Sequence, residues 1–299
     1  MIVYNHAPYI REAMDSVLMQ KTDFEVELVI SNDSSVDDTN TIVQEYILNH
    51  PKSKNIKYFV QEKNKGMMPN FIFAIQQCIG KYIAMCEGDD YWTDPLKLQK
   101  QVAALEENNA YSMVITNRKV LNSNNEWFEE SYDKEYGKNI FCIADVVNGF
   151  VPGMQTILMR NYSSLADYFL AHPEFYYGDR YIAYYCSLFG KILLIPEYTA
   201  VYRMTGTGVW SVNTAIQKLH TYNQFMQDFH KSLGIPINNE TLAMLSFNTS
   251  YTSLRYAIRR PTLLMEKEYR KIILKPWAMY SKMNRLKMFL SIVFNPRSK

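Results

Sequence analysis

Lys81-Tyr82-Ile83-Ala84-Met85-Cys86-Glu87-Gly88-Asp89-Asp90-Tyr91-Trp92 puts three carboxylates within four residues, directly after an apolar run. The run from Tyr82 to Cys86 reads as a buried strand. Carboxylates packed this closely repel one another, so a positive charge is expected at the strand's end. Upstream, Phe71, Ala74, Ile75, Cys78 and Ile79 share one face of a helix over Pro69–Ile79, and Gly80 is its expected stop. A strand over Ile56–Val60 precedes it. Before that comes a helix over Asp37–His50, with Ile42, Val43, Tyr46 and Ile47 on one side and Ser35 as its expected N-cap. Phe24–Ile30 is a further strand, and Pro8–Gln20 carries Ile10, Ala13, Met14, Val17 and Leu18 at helical spacing. Only Ile2 and Val3 remain for a first strand, which is unusually short. This alternation of strand and helix predicts an α/β protein built on a mostly parallel sheet.

Ligands of such sheets sit outside the carboxyl ends of the strands. Four polar loops fall there: Tyr4-Asn5-His6, Asn32-Asp33-Ser34-Ser35, Gln61 to Gly66, and Glu87 to Asp90. Adjacent carboxylates on one loop suit a hard divalent cation, Mg²⁺ or Mn²⁺, whose remaining positions take water and phosphate. A glycosidase pair would instead face across a cleft, and the spacing is not that of a calcium-binding EF-hand.

Beyond Pro95 a helix carrying Leu98, Val102 and Leu105 leads to a strand over Ser112–Val120. Residues 122–139 read as a long polar, aromatic and acidic loop. Thr156–Met159 and Lys191–Ile195 read as strands, and a helix is expected to begin near Tyr177-Gly178-Asp179-Arg180. From Val212 onward the chain reads as mostly helical, which divides it into a domain over 1–211 and a basic extension over 212–299. Arg255 to Lys299 carries 12 Lys/Arg against 2 Asp/Glu, while the rest of the chain is net acidic. Such a tail reads either as a dock on an anionic surface, a membrane ahead of nucleic acid, or as a solvated basic helix that packs back onto the acidic body. The four cysteines form no C-x-x-C pair, and no run of 18 apolar residues occurs. The expectation is therefore a reduced, cytoplasmic protein that is at most peripheral on the inner membrane face.

Taken in order, YNHAPYIREAMDSVLMQ, VISNDSSVDDT and NKGMMPNFIFAIQQCIGKYIAMCEGDDYWTDPLKLQKQ resemble the family 2 glycosyltransferases of GT-A fold, over roughly residues 1–211. The resemblance implies a nucleotide-diphosphate sugar donor, with a UDP-sugar favoured, and a glycan or lipid-linked acceptor. It implies an inverting, metal-assisted reaction and a role in cell-surface polysaccharide synthesis. Glu87-Gly88-Asp89-Asp90 looks like that family's D-x-D loop, so the resemblance assigns Asp89 and Asp90 to Mn²⁺ or Mg²⁺, with Glu87 standing where the first Asp usually stands. Tyr4, Asn5, Asp33, Asn64 and Gly66 match nucleotide-contacting positions, although Val3 and Asn32 replace the usual Thr and first Asp. Asp179 matches the general base. Arg203 and Trp210 lie in the loop after the last core strand, as a phosphate partner and a sugar-stacking ring, and Thr205 replaces a His common there.

Two other classes compete. A nucleotidyltransferase also uses carboxylates and Mg²⁺, but it needs a Gly-rich basic loop near its first strand, and MIVYNHAPYI has none. A non-catalytic nucleotide- or glycan-binding module of the same fold accommodates the departures at Val3, Asn32, Glu87 and Thr205.

Overall fold

The computed structural model describes residues 1–147, 150–171 and 178–206. The chain divides into two units, Met1–Ser211 and Val212–Lys299, and every described residue lies in the first. Trp210 and the basic extension therefore lie outside the described residues.

The first half alternates as expected: β1 (Ile2–Val3), α1 (Ile10–Leu18), β2 (Leu28–Asn32), α2 (Thr39–Asn49), β3 (Ile56–Val60), α3 (Met67–Gln76) and β4 (Tyr82–Ala84). Next come β5 (Tyr91–Trp92), α4 (Lys97–Glu107), β6 (Tyr111–Leu121), β7 (Trp127–Glu130), α5 (Tyr132–Tyr136), β8 (Ile140–Phe141) and α6 (Ile143–Val147). The described chain ends with β9 (Leu158–Arg160), α7 (Leu165–Leu170), α8 (Gly178–Ser187) and β10 (Lys191–Arg203). Ile10, Ala13, Met14, Val17 and Leu18 of α1 are all buried. Each large side chain so placed contributes about 1.5–3 kcal/mol of transfer free energy. The Ser35 hydroxyl does not cap α2. It accepts the Asn5 N–H at 2.9 Å and so ties the β1 turn to the loop after β2.

The strands form two sheets. One is parallel, in the order β1-β2-β3. The other is mixed, in the order β4-β9-β6-β10-β5, with β7 added to β6 and β8 to β10. Parallel pairing in this second sheet is confined to β6 and β10, so the structure is less uniformly parallel than the alternation implies. β1 pairs with Ser31 and Asn32, the Met1 amine donates to Val29 O at 2.8 Å, and beside this edge lies a cavity of about 420 Å³ lined by Val26, Leu28, Tyr82, Ala84 and Trp92.

Two local features aim the site. The long strand β10 accommodates Pro196 because the ladder to β6 is irregular between Ile195 and Tyr198, where a missing N–H is tolerated. The two sheets also meet at Gly88, whose N–H donates to Ile2 O at 3.2 Å. The acid loop is thereby placed beside the β1 turn.

Candidate active site

Four loops converge at the carboxyl edge of the strands, joined by side-chain to backbone bonds. Asn5 adopts a left-handed conformation (φ 57°), and its Oδ1 accepts the Val36 N–H at 2.9 Å. His6 N–H donates to Thr39 Oγ1 and Ala7 N–H to Asp37 Oδ2, so Asn5, His6 and Ala7 all lean on the segment from the loop after β2 into α2. Tyr4, beside them, is 43% exposed. Asp33 is buried, and its two oxygens accept the N–H groups of Lys65 (2.8 Å) and Gly66 (2.9 Å). Asn64 Oδ1 also accepts the Gly66 N–H at 2.9 Å. Gly66 itself has φ 87°, a conformation that favours glycine. Asp33, Asn64 and Gly66 are therefore parts of one clamp. The Asn32 amide is committed below the surface, donating to Tyr58 Oη at 2.8 Å and accepting the Ser35 N–H.

The acid loop divides its carboxylates between two tasks. Asp90 is fully buried (0% exposed); its Oδ1 accepts the Arg203 N–H at 2.9 Å, while Oδ2 has no partner among the described residues. Burial, Asp89 and Glu87 together raise its pKa well above the usual carboxylate range. Asp89 keeps an accessible side chain, with Oδ2 3.9 Å from His6 Nε2. Glu87 is pushed up to about 8, by burial first and then by Asp89 and Asp179. Asp179, in the first turn of α8, is thereby shown to lie within electrostatic range of Glu87. Burial raises its own pKa against the opposing pull of the Arg180 N–H and of Arg118.

Arg203, expected to meet a phosphate, is engaged elsewhere. Its Nη1 donates to Asp89 O at 3.0 Å, its Nη2 pairs with Glu12, and its guanidinium lies over the rings of Tyr91 (4.3 Å) and Tyr9 (5.4 Å). With Asp90 it braces the acid loop from behind.

Sequence reasoning missed Arg118. This buried guanidinium donates through Nε to Glu130 Oε2 at 2.7 Å and lies 4.9 Å over the Tyr202 ring. Burial opposes its charge, but Tyr132, Glu130 and Asp90 outweigh that and raise its pKa. It also acts electrostatically on Glu87, Asp90 and Asp179. Arg118 is thus part of the answer to the charge problem of the acid loop. In the fold Gly153 leaves room for it, since a Cβ there would lie 2.1 Å from Arg118 Nη1.

Among the described residues, no three His, Cys, Asp or Glu side chains converge as a cage for an ion. Mg²⁺ and Mn²⁺ sites of the substrate-assisted kind do not require one, since one or two carboxylates suffice when phosphate and water complete the shell. The accessible Asp89, the unpartnered Asp90 Oδ2 and the raised pKa values of Glu87 and Asp90 fit a cation arriving with a diphosphate. Asp89 would be the direct ligand, and Asp90 lies too deep to share that role without movement of the loop.

Residues 1–169 match Glycosyl transferase family 2. An uncharacterized protein of Mycobacterium tuberculosis is 32% identical over 209 residues, covering 70% of this chain and 59% of the relative. The chain thus spans less than two thirds of that relative's length. Chondroitin synthase of Escherichia coli is 38% identical over 88 residues, 29% of this chain and 12% of the synthase. Among solved structures, Staphylococcus aureus TarS 1-349 in complex with UDP superposes with a TM-score of 0.61 at 14% identity, covering 97% of this chain and 85% of that one. The mannosyltransferase PcManGT of Pyrobaculum calidifontis, in complex with GDP-Man and Mn²⁺, gives 0.54 at 12% identity, covering 99% and 86%. At these identities the structural likeness speaks for the fold alone.

Proposed function

This chain belongs to glycosyl transferase family 2, and from that premise we propose that it moves a sugar from a nucleoside-diphosphate donor to a hydroxyl of a glycan or lipid-linked acceptor. The observation that carries this reading is the acid loop, in which Asp89 Oδ2 stands 3.9 Å from His6 Nε2 and Asp90, anchored by the Arg203 N–H, keeps a buried Oδ2 with no partner among the described residues. The donor's diphosphate belongs beside Asp89, with its nucleoside over the Tyr4–Asn5 turn and the Asp33–Asn64–Gly66 clamp. A bound Mn²⁺ or Mg²⁺ supplies charge neutralisation of the departing diphosphate. Asp90 and Arg203 hold Asp89 in place for that contact. Asp179, kept basic by its buried position, accepts the proton of the acceptor hydroxyl as that oxygen bonds to the anomeric carbon and the carbon–diphosphate bond breaks. One such displacement inverts the anomeric configuration.

A UDP-sugar is the donor we favour. TarS in complex with UDP and the mannosyltransferase in complex with GDP-Man and Mn²⁺ support a nucleotide-sugar and a divalent ion in this fold. Cell-surface polysaccharide synthesis is the role we assign, with the basic segment 255–299 on an anionic membrane face. No helix among the described residues is long and apolar enough to cross a membrane.

The test is calorimetric binding of UDP, GDP and dTDP with and without Mn²⁺. Metal-dependent binding of one nucleotide, lost in Asp89→Ala, is the expected result. Equal binding without metal, or no binding of any nucleotide, refutes it.

A further inference from the structure

The segment 122–139, expected as a loop, holds β7 and α5, and β7 brings two side chains to the catalytic face. In the β6–β7 ladder Arg118 pairs with Glu130 and Val120 with Phe128, while in the β6–β10 ladder Val120 pairs with Tyr202. Directly paired residues share a face of the sheet, so Arg118, Tyr202, Glu130 and Phe128 lie on one side. The contacts agree, since Arg118 bonds Glu130 and covers the Tyr202 ring. This end of β10 meets the carboxylates: Arg203, next to Tyr202, donates its N–H to Asp90 Oδ1 at 2.9 Å and its Nη1 to Asp89 O at 3.0 Å. Phe128 is nevertheless 51% exposed. It stands one alternate-residue step beyond Glu130, about 7 Å along the strand. Trp127, equally exposed, points to the opposite face.

We propose that Phe128 and Glu130 of β7 form the acceptor subsite, in which an uncharged pyranose ring lies on Phe128 and a ring hydroxyl donates to the Glu130 carboxylate. This rests on the transferase reading above and names its acceptor class. The electron-rich face of an aromatic ring attracts the polarised C–H edge of a sugar. A half-exposed carboxylate already held by Arg118 keeps capacity to accept from a hydroxyl. Charge supplies the selectivity. Residues 122–139 carry Glu126, Glu129, Glu130, Asp133 and Glu135 against Lys134 and Lys138, a field that repels phosphorylated or uronic acceptors.

The experiment is saturation-transfer NMR on the full chain with UDP and the diamagnetic Mg²⁺. The probes are methyl glycosides of glucose, galactose, mannose and N-acetylglucosamine, with glucose 6-phosphate as the anionic comparator. At least one neutral glycoside should receive saturation, with its C–H protons strongest, and glucose 6-phosphate should not. Phe128→Ala should raise the Kd of that glycoside roughly tenfold, the scale of one aromatic contact. Phe128→Tyr should restore it, and Trp127→Ala, on the other face, should leave it unchanged. Silence from every neutral glycoside while UDP still binds overturns this subsite alone. So does a Trp127→Ala effect without a Phe128→Ala effect. Loss of UDP binding by the unmodified chain overturns the transferase reading instead.

Discussion

A Cβ at Gly88 would lie 2.4 Å from Val3 Cγ1 and 2.7 Å from His6 Nδ1, both parts of the β1 turn that packs against the acid loop. Gly88→Ala must therefore push the loop away from the turn. A loss of about 1–3 kcal/mol is expected by thermal unfolding, together with weaker Mn²⁺-dependent nucleotide binding. Arg118 is the second residue on which the site's charge rests. Arg118→Met leaves Glu130 without its partner and removes the cation facing Glu87, Asp90 and Asp179. Its expected cost is about 1–2 kcal/mol in urea unfolding, below the scale for a fully buried pair because Glu130 is half-exposed. Arg118→Lys should recover little, because an ammonium cannot reach Glu130 Oε2 and Gln155 Oε1 together as the guanidinium does.

Lys97, the first residue of α4, is fully buried, with its Nζ donating to Gln101 Oε1 at 2.5 Å and lying 4.6 Å over the Trp92 ring. Burial pushes it down to about 7 from an ordinary 10.5. Between those values the unfolded chain binds the extra proton and the folded chain does not, so stability rises with pH across that window. Below pH 7 both states carry the charge and the full penalty of burying it applies. Lys97→Met should flatten the rise of Tm between pH 7 and 10, and an unchanged slope would contradict the assignment. At this scale the sequence was legible where periodicity was strong. The apolar stripes of α1 and α3 and the buried run of β4 each predicted its element to within a few residues. It was opaque over 122–139, because Trp127-Phe128-Glu129-Glu130 pairs two aromatics with two acids instead of alternating, so β7 carries no period of two. The acid loop stood out as a motif. Arg118, a lone cation inside a strand, has no local signature and becomes functional only through the fold.

Across the molecule, the carboxyl edges of two separate sheets build one site, joined through Gly88, Asp33 and Arg203. The burial of Asp90 and the engagement of Arg203 could not be read from the chain, since both depend on β10 arriving beside β5 from more than a hundred residues away. The charge asymmetry makes a prediction at the same scale. Anionic vesicles of phosphatidylserine should bind the chain in a salt-sensitive way, and replacing the basic residues of 255–299 with glutamine should abolish it. Binding that survives 0.5 M salt, or that ignores those substitutions, would argue against an electrostatic dock.

The central claim, that Asp89 and Asp179 act together at one transfer site, is tested most directly by donor turnover. Release of nucleoside diphosphate from a panel of UDP-, GDP- and dTDP-sugars should be followed with Mn²⁺ in the unmodified chain, Asp89→Ala and Asp179→Asn. The account predicts Mn²⁺-dependent release from one donor. It predicts that Asp89→Ala loses both binding and turnover, whereas Asp179→Asn binds the donor normally and turns over about 10²–10⁴-fold more slowly. Turnover in Asp179→Asn equal to that of the unmodified chain would contradict it.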